Sequence, residues 1–132
     1  MRKYVPALLV ACALAACQNP KSQELEALQM EVEGMHDKIM APYMQIEDLR
    51  EEIRQQVAKD STRKASADSL ISALTLAEKG MDDWMSGYNG DTLLTISPEE
   101  GHKYLLQEKA KVNLVETRTT ESVAAAKRFL KK

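Results

Sequence analysis

Beyond residue 17 this 132-residue chain has no cysteine, for Cys12 and Cys17 are the only two. The remainder can form no disulfide with itself, and thiol catalysis and cysteine-rich metal sites are excluded from it. Rings are scarce as well: one Phe, one Trp and four Tyr, so aliphatic residues and methionine must fill most of any core. There is no glycine-rich phosphate loop, no HExxH spacing and no Ser-His-Asp arrangement. Neither sign of charge dominates, with 18 Lys and Arg against 20 Asp and Glu. The one basic run is the last few residues, which gives nucleic-acid binding no support. No apolar run approaches the ~20 residues that span a bilayer. Strand-like alternation is confined to Thr92–Ile96.

What is present begins with an export signal. Arg2 and Lys3 are followed by an apolar stretch from Val5 to Ala16, and then by Leu14-Ala15-Ala16-Cys17. This tetrapeptide resembles the lipobox of bacterial lipoproteins. The resemblance implies a signal peptide over residues 1–16, cleavage before Cys17, a thioether lipid on its sulfur and acylation (palmitate or a similar chain) of the new amino terminus. Two or more acyl chains anchor stably where one is marginal. Cleavage removes Arg2 and Lys3, and the formal charge moves from −2 to −4. Residues 17–22 make a short tether to a domain spanning 23–132. Gln18 stands where well-studied lipoproteins retained at the inner membrane have aspartate, so the resemblance implies the outer membrane, facing the periplasm.

Three helices follow from hydrophobic periodicity. Leu25, Leu28, Val32, Met35, Ile39, Pro42, Ile46, Leu49 and Ile53 recur in steps of three and four, a heptad seam over about four repeats. Asn19 before Pro20 suits a cap with proline at the first helical position. Pro42 lacks an amide hydrogen, and the seam keeps its phase on both sides, so a kink in one long helix is expected; two shorter helices are the alternative. The second helix starts between Asp60 and Ser66 and runs to about Gly87. Its stripe is Ala67, Leu70, Leu74, Ala77, Met81, Trp84 and Tyr88, widened by Ile71 and Met85. Gly80 weakens it by about 1 kcal/mol against alanine. The third opens on Ser97-Pro98-Glu99-Glu100, a capping box. Its stripe is Tyr104, Leu105, Val112, Val115, Val123, Ala126 and Leu130, interrupted by Glu108 and Thr119. The expected fold is all-α: an antiparallel three-helix bundle with a long, proline-kinked first helix and coiled-coil character. Self-association through the seam is a side expectation.

Six methionines follow the signal. His36, Met40 and Met44 step by four along one helix face, and Met81 and Met85 do the same on the next. Counting across the loops brings His36, Met40, Met44, Met81, Trp84, Met85 and His102 into one band. Thioether and imidazole donors together suit Cu(I) or Ag(I). The same methionines also suit irregular core packing or a partner-binding face. His36-Asp37 pairs a base with a carboxylate, but neighbouring helix positions point to different faces, so the two are not expected to meet. Glu33 with His36, and Glu99 with His102, repeat the Glu-x-x-His spacing of di-iron bundles, although three helices leave that cage without a fourth wall.

The stretch Met35-His36-Asp37-Lys38-Ile39-Met40 with Pro42 and Met44, then Asp83-Trp84-Met85, resembles a group of small bacterial envelope lipoproteins often labelled "viral A-type inclusion protein". Tyr104-Leu105, Lys111-Val112 and Phe129-Leu130 extend the likeness over most of the chain. It implies a helical envelope lipoprotein and brings no activity with it. A membrane-anchored, non-enzymatic interaction or structural module is therefore the leading expectation, with periplasmic soft-metal binding through the Met/His face as the alternative. The end Lys131-Lys132 suggests a third, since helical lipoproteins of the murein type join a terminal lysine to the cell wall.

Overall fold

The computed structural model describes residues 20–131. The segments expected to be a signal peptide and lipobox with Cys17, and the expected cap at Asn19, lie outside the described residues. Four α-helices make up nearly all of the rest: α1 (Pro20–Tyr43), α2 (Ile46–Lys59), α3 (Lys64–Gly87) and α4 (Pro98–Leu130). Short 3-10 turns at Ser61–Arg63 and Gly90–Leu94 complete it. The second turn falls where strand-like alternation stands in the sequence. Asn89 explains that outcome, because its side chain accepts from the Asp91 amide and starts the turn. There is no strand among the described residues. No described helix is long and apolar enough to cross a membrane.

α1 and α2 form one bent rod joined at Met44 and Gln45. Pro42 lies in the last turn of α1 and offers no amide to the preceding carbonyls. The Met44 amide still makes an ordinary α-helical bond to the Met40 carbonyl at 3.0 Å, and the backbone then tightens, the Gln45 amide donating to the Pro42 carbonyl at 3.1 Å. The Ala41 carbonyl, left over by this shift, accepts from the Gln45 side chain at 3.0 Å. α2 then restarts in phase, so Ile46, Leu49 and Ile53 continue the buried row of Val32, Met35 and Ile39. The expected first helix therefore survives as a seam while its backbone is interrupted.

Cross-helix contacts fix the levels. Lys21 meets Glu99 at 3.4 Å, and Glu31 meets Lys109 at 2.7 Å. At the far end the Gln56 side chain donates to the Leu130 carbonyl at 3.0 Å. On α3, Asp82 pairs with Tyr43 and Glu78 with Arg50. One end of the bundle, the base, thus holds residues near 21 and 99; the other, the tip, holds residues near 56–63 and 129–131. At 1.5 Å per residue, the 33 residues of α4 span about 50 Å.

Local chemistry accounts for the helix starts. Ser97 accepts from the Glu100 amide at 3.3 Å while the Glu100 carboxylate accepts from the Ser97 amide at 3.0 Å, the expected capping box. The Ser97 hydrogen bonds hold the Glu100 carboxyl below its ordinary range. Asp60 accepts from the Thr62 hydroxyl and amide, which lowers its pKa too. The core divides into two clusters. Toward the tip lie Ile46, Leu49, Ile53, Ala67, Leu74, Ala77, Val123, Ala126 and Phe129. Toward the base lie Val32, Met35, Ile39, Met81, Trp84, Leu105, Val112 and Val115.

Two expected interruptions of the α4 stripe are in fact buried: Glu108 is 3% exposed and Thr119 0%. Glu108 is tolerated because Lys111, one turn on, reaches its carboxylate at 2.6 Å. That hydrogen bond in turn raises the Lys111 pKa. At the end of α4, Phe129 is buried and Leu130 only partly so.

Candidate functional site

Trp84, Tyr88 and Tyr104 gather with His36 on the base side of the break. His36 on α1 lies 5.9 Å from the Trp84 ring, tilted by 33°. Trp84 stacks on Tyr88 at 5.1 Å and 17°, and Tyr88 on Tyr104 at 6.2 Å and 14°. Three helices thus contribute to one ladder, with Tyr88 supplied by the residue that ends α3. Spacings of this kind suit offset stacking, worth about 0.5–1.5 kcal/mol per pair beyond burial.

Polar partners lock the ladder's lower rungs. The Tyr88 hydroxyl donates to Glu33 Oε1 at 3.2 Å, and the same oxygen accepts from Gln29 at 2.9 Å. Burial first, then the Glu33 charge, pushes the Tyr88 phenol far above its ordinary range. Tyr104 closes the loop by accepting from the Asn89 amide at 2.9 Å. Trp84 Nε1 is buried and finds no hydrogen-bond partner among the described residues.

The sequence places seven residues in one band, and the structure gathers only part of it. Tyr43 donates to Asp82 at 2.6 Å, so Met40 and Met44 do stand level with Met81 to Met85. Met81 is fully buried, and Met40 packs against the same cluster from its edge. Met44 and Met85 face outward, 68% and 37% exposed. Met44 belongs to the turn that Pro42 imposes, which carries its side chain off the seam. His102 is elsewhere: its Nε2 lies 3.7 Å from Glu24 at the base. Glu24 precedes His36 by three turns and a third of α1, so His102 stands about 18 Å down the axis from the ladder.

His36 and Asp37 do meet, at 3.0 Å between Nδ1 and Oδ1. Adjacent helix positions diverge by roughly 100°, but Asp37 is exposed enough for its carboxylate to swing round to the imidazole. The two Glu-x-x-His pairs are dispersed, Glu99 pairing with Lys21 and Glu33 serving Tyr88. Among the described residues, no group of three or more His, Cys, Asp or Glu side chains is close enough to hold a metal ion.

A polar cluster that the periodicity does not single out joins α2 to α3. Arg50, 9% exposed, grips Glu78 with Nη1 at 2.6 Å and Nη2 at 3.1 Å. Nη1 also donates to the Thr75 hydroxyl at 3.2 Å, and Nε to Glu47 at 3.0 Å. Burial pulls the guanidinium pKa down, but Glu78 and Glu47 outweigh it and leave it raised. Such a forked pair fixes geometry as well as charge. The available signal was Glu47-x-x-Arg50, one turn apart and beside the seam residue Leu49. Next to it, the Asp82 hydrogen bond, with burial, pushes the Tyr43 phenol up to about 12.

Compared with family models, curated proteins and solved structures, the chain matches none.

Proposed function

We propose that this chain is a lipid-anchored, non-enzymatic helical interaction or structural module of a bacterial cell envelope, held through Cys17 at the outer membrane and facing the periplasm. Its three rods run up, down and up as an antiparallel bundle, with coiled-coil character in the long first rod. Pairing of Tyr43 with Asp82 beside pairing of Lys21 with Glu99 supports that topology. The observation that carries the reading is the position of Pro20. It begins α1 at the base, three residues after Cys17, while the tip lies about 50 Å away. A lipid on Cys17 would present the tip outward from the membrane. The likeness to small envelope lipoproteins points the same way.

The test is metabolic labelling of the full chain with an alkyne fatty acid in a bacterial host. Label should enter the wild type, be absent from Cys17→Ala, and fractionate with outer membranes. An unlabelled wild-type chain recovered as a soluble secreted protein would overturn the anchor.

One observation favours a second reading, soft-metal binding: Met40 and Met81 share the base-side cluster, and His36 lies against the neighbouring Trp84. Anaerobic competition with a chromophoric Cu(I) chelator tests it. Stoichiometric binding that is weakened in a Met40→Leu, Met44→Leu variant would support it, and equal binding by both proteins would end it.

A further inference from the structure

We infer that the tip of the bundle is a docking site for an acidic peptide segment of a partner protein. A cleft of about 520 Å³ opens there, lined by Arg63, Ser66, Ala125, Arg128, Phe129 and Lys131. Three of those six side chains are cations and none is a carboxylate.

Arg63 is held in place before any partner arrives. Its guanidinium lies 3.7 Å over the Phe129 ring, and Nη1 donates to Gln56 Oε1 at 3.0 Å. Nη2 donates to the Phe129 carbonyl. Ordering a guanidinium beforehand lowers the entropy lost when a carboxylate binds. Arg128 and Lys131 are exposed and stand at the rim. Residues 59–68 and 125–131 add Lys59, Lys64 and Lys127, and their acids are Asp60 and Asp68; Asp48 and Glu52 line a separate groove beside Lys127 and Lys131. Asp60 is turned into its own loop by Thr62, and Asp68 is occupied by Lys64 at 2.5 Å.

Helix dipoles explain only part of this charge. Cations at the ends of α2 and α4 complement the negative helix termini. Arg63 and Lys64, however, stand at the positive end of α3, whose first turn holds no acid. There the dipole opposes them, so the cluster is more basic than helix stability favours.

The shape selects among anionic partners. A lipid surface wants exposed apolar side chains beside the cations. Among the described residues the large exposed apolar ones are Met30, Met44, Leu76, Met85, Leu94, Leu106 and Leu114, and none of these is at the tip. Nucleobases want an open ring for stacking, and Phe129 is covered by Arg63. Carboxylates spaced along a peptide fit three cations spread around an open cleft, two of them forked guanidinium groups. The base has the opposite charge: residues 20–33 and 88–103 hold seven carboxylates against two lysines. An acidic segment is therefore repelled from one end and drawn to the other.

The inference deepens the interaction-module reading, but rests on it only for which way the tip faces. The test is fluorescence anisotropy of labelled hexaglutamate titrated with the full chain in neutral detergent at low ionic strength. Saturable binding is expected, weakened by a factor of about 10 or more in Arg128→Glu, Lys131→Glu, since each lost charge pair is worth on the order of 1 kcal/mol. Both sites are exposed, and matching circular dichroism would verify the variant's fold. Lys103→Glu at the base should leave binding unchanged. Absence of saturable binding, or equal binding by the tip variant, would overturn the site. Displacement by inositol hexakisphosphate at far lower concentration than by unlabelled hexaglutamate would also overturn it, in favour of a phosphate-bearing ligand. Because this titration does not depend on lipid, failure here is distinct from failure of Cys17 labelling.

Discussion

Toward the tip, the buried core is Ile, Leu, Val and Ala with Phe129; toward the base, Val, Ile and Leu are joined by Met35, Met81 and Trp84, with Tyr88 and Tyr104 at the edge. The boundary is the Met44–Gln45 turn, and Tyr43 packs against both clusters. Spacing accounts for the difference. α2 approaches α3 closely at more points than α1 does, and the small side chains of Ala67 and Ala77 are buried in that half. α1 approaches α3 closely at few points, and there the space is filled by Met81, Trp84 and the His36–Tyr104 ladder. Polar chemistry divides along the same line, with a forked Arg50 clamp in the narrow half and stacked rings in the wide one. A few large residues thus keep one half open, and a few small ones keep the other closed.

The largest break in that comparison should come from Trp84→Ala. It removes the central rung of the ladder and leaves a cavity, at a cost of about 3–5 kcal/mol in urea denaturation. Ala77→Leu attacks the narrow half in the opposite sense, by overpacking, and should cost about 1–3 kcal/mol. If Ala77→Leu were neutral, close approach of α2 and α3 would not be what its alanines provide. Gly80 sharpens the boundary itself. A Cβ there would meet Val115 Cγ2 at 3.7 Å, an ordinary contact, so Gly80→Ala should stabilise by up to about 1 kcal/mol through helix propensity.

The smallest effect concerns Tyr43. Its folded pKa is raised from 10.0 to about 12, so the neutral phenol is the favoured native form. The stability it contributes is complete below pH 10 and is lost as pH rises toward 12. Urea midpoints measured across that window should fall less steeply in Tyr43→Phe than in the wild type; identical slopes would show that the Asp82 bond contributes nothing.

Periodicity alone revealed the seam of α1 and α2, the stripe of α3 and the cap of α4, because each rests on local spacing or on side chains three residues apart. The level of Met40 and Met44 against Met81 and Met85 was legible too, since the loop after α2 is short. His102 was misplaced because the longer connection through Gly90–Leu94 sets where α4 begins, and residue counting does not see that turn. Glu108 and Thr119 look like breaks in a stripe when judged by polarity. Glu108 is buried because Lys111 neutralises it. Thr119 lies between Val115 of one cluster and Val123 of the other, and its hydroxyl has no partner among the described residues. The Arg50 clamp needs α3 to be in place before its purpose appears. Pro42 was visible, but the side-chain rescue of the Ala41 carbonyl by Gln45 was not.

The bent rod of α1 and α2 beside the unbroken α4 has a mechanical consequence. A pull between Pro20 at the base and a partner held at Arg128 enters through one rod and leaves through its neighbour. The helices would have to slide lengthwise past each other, rupturing contacts from Glu31–Lys109 to Gln56–Leu130 together. Peeling would break them one at a time, at lower force. Arranged this way, the molecule resists traction in shear, and its lifetime under tension is set by the rate of that concerted slip.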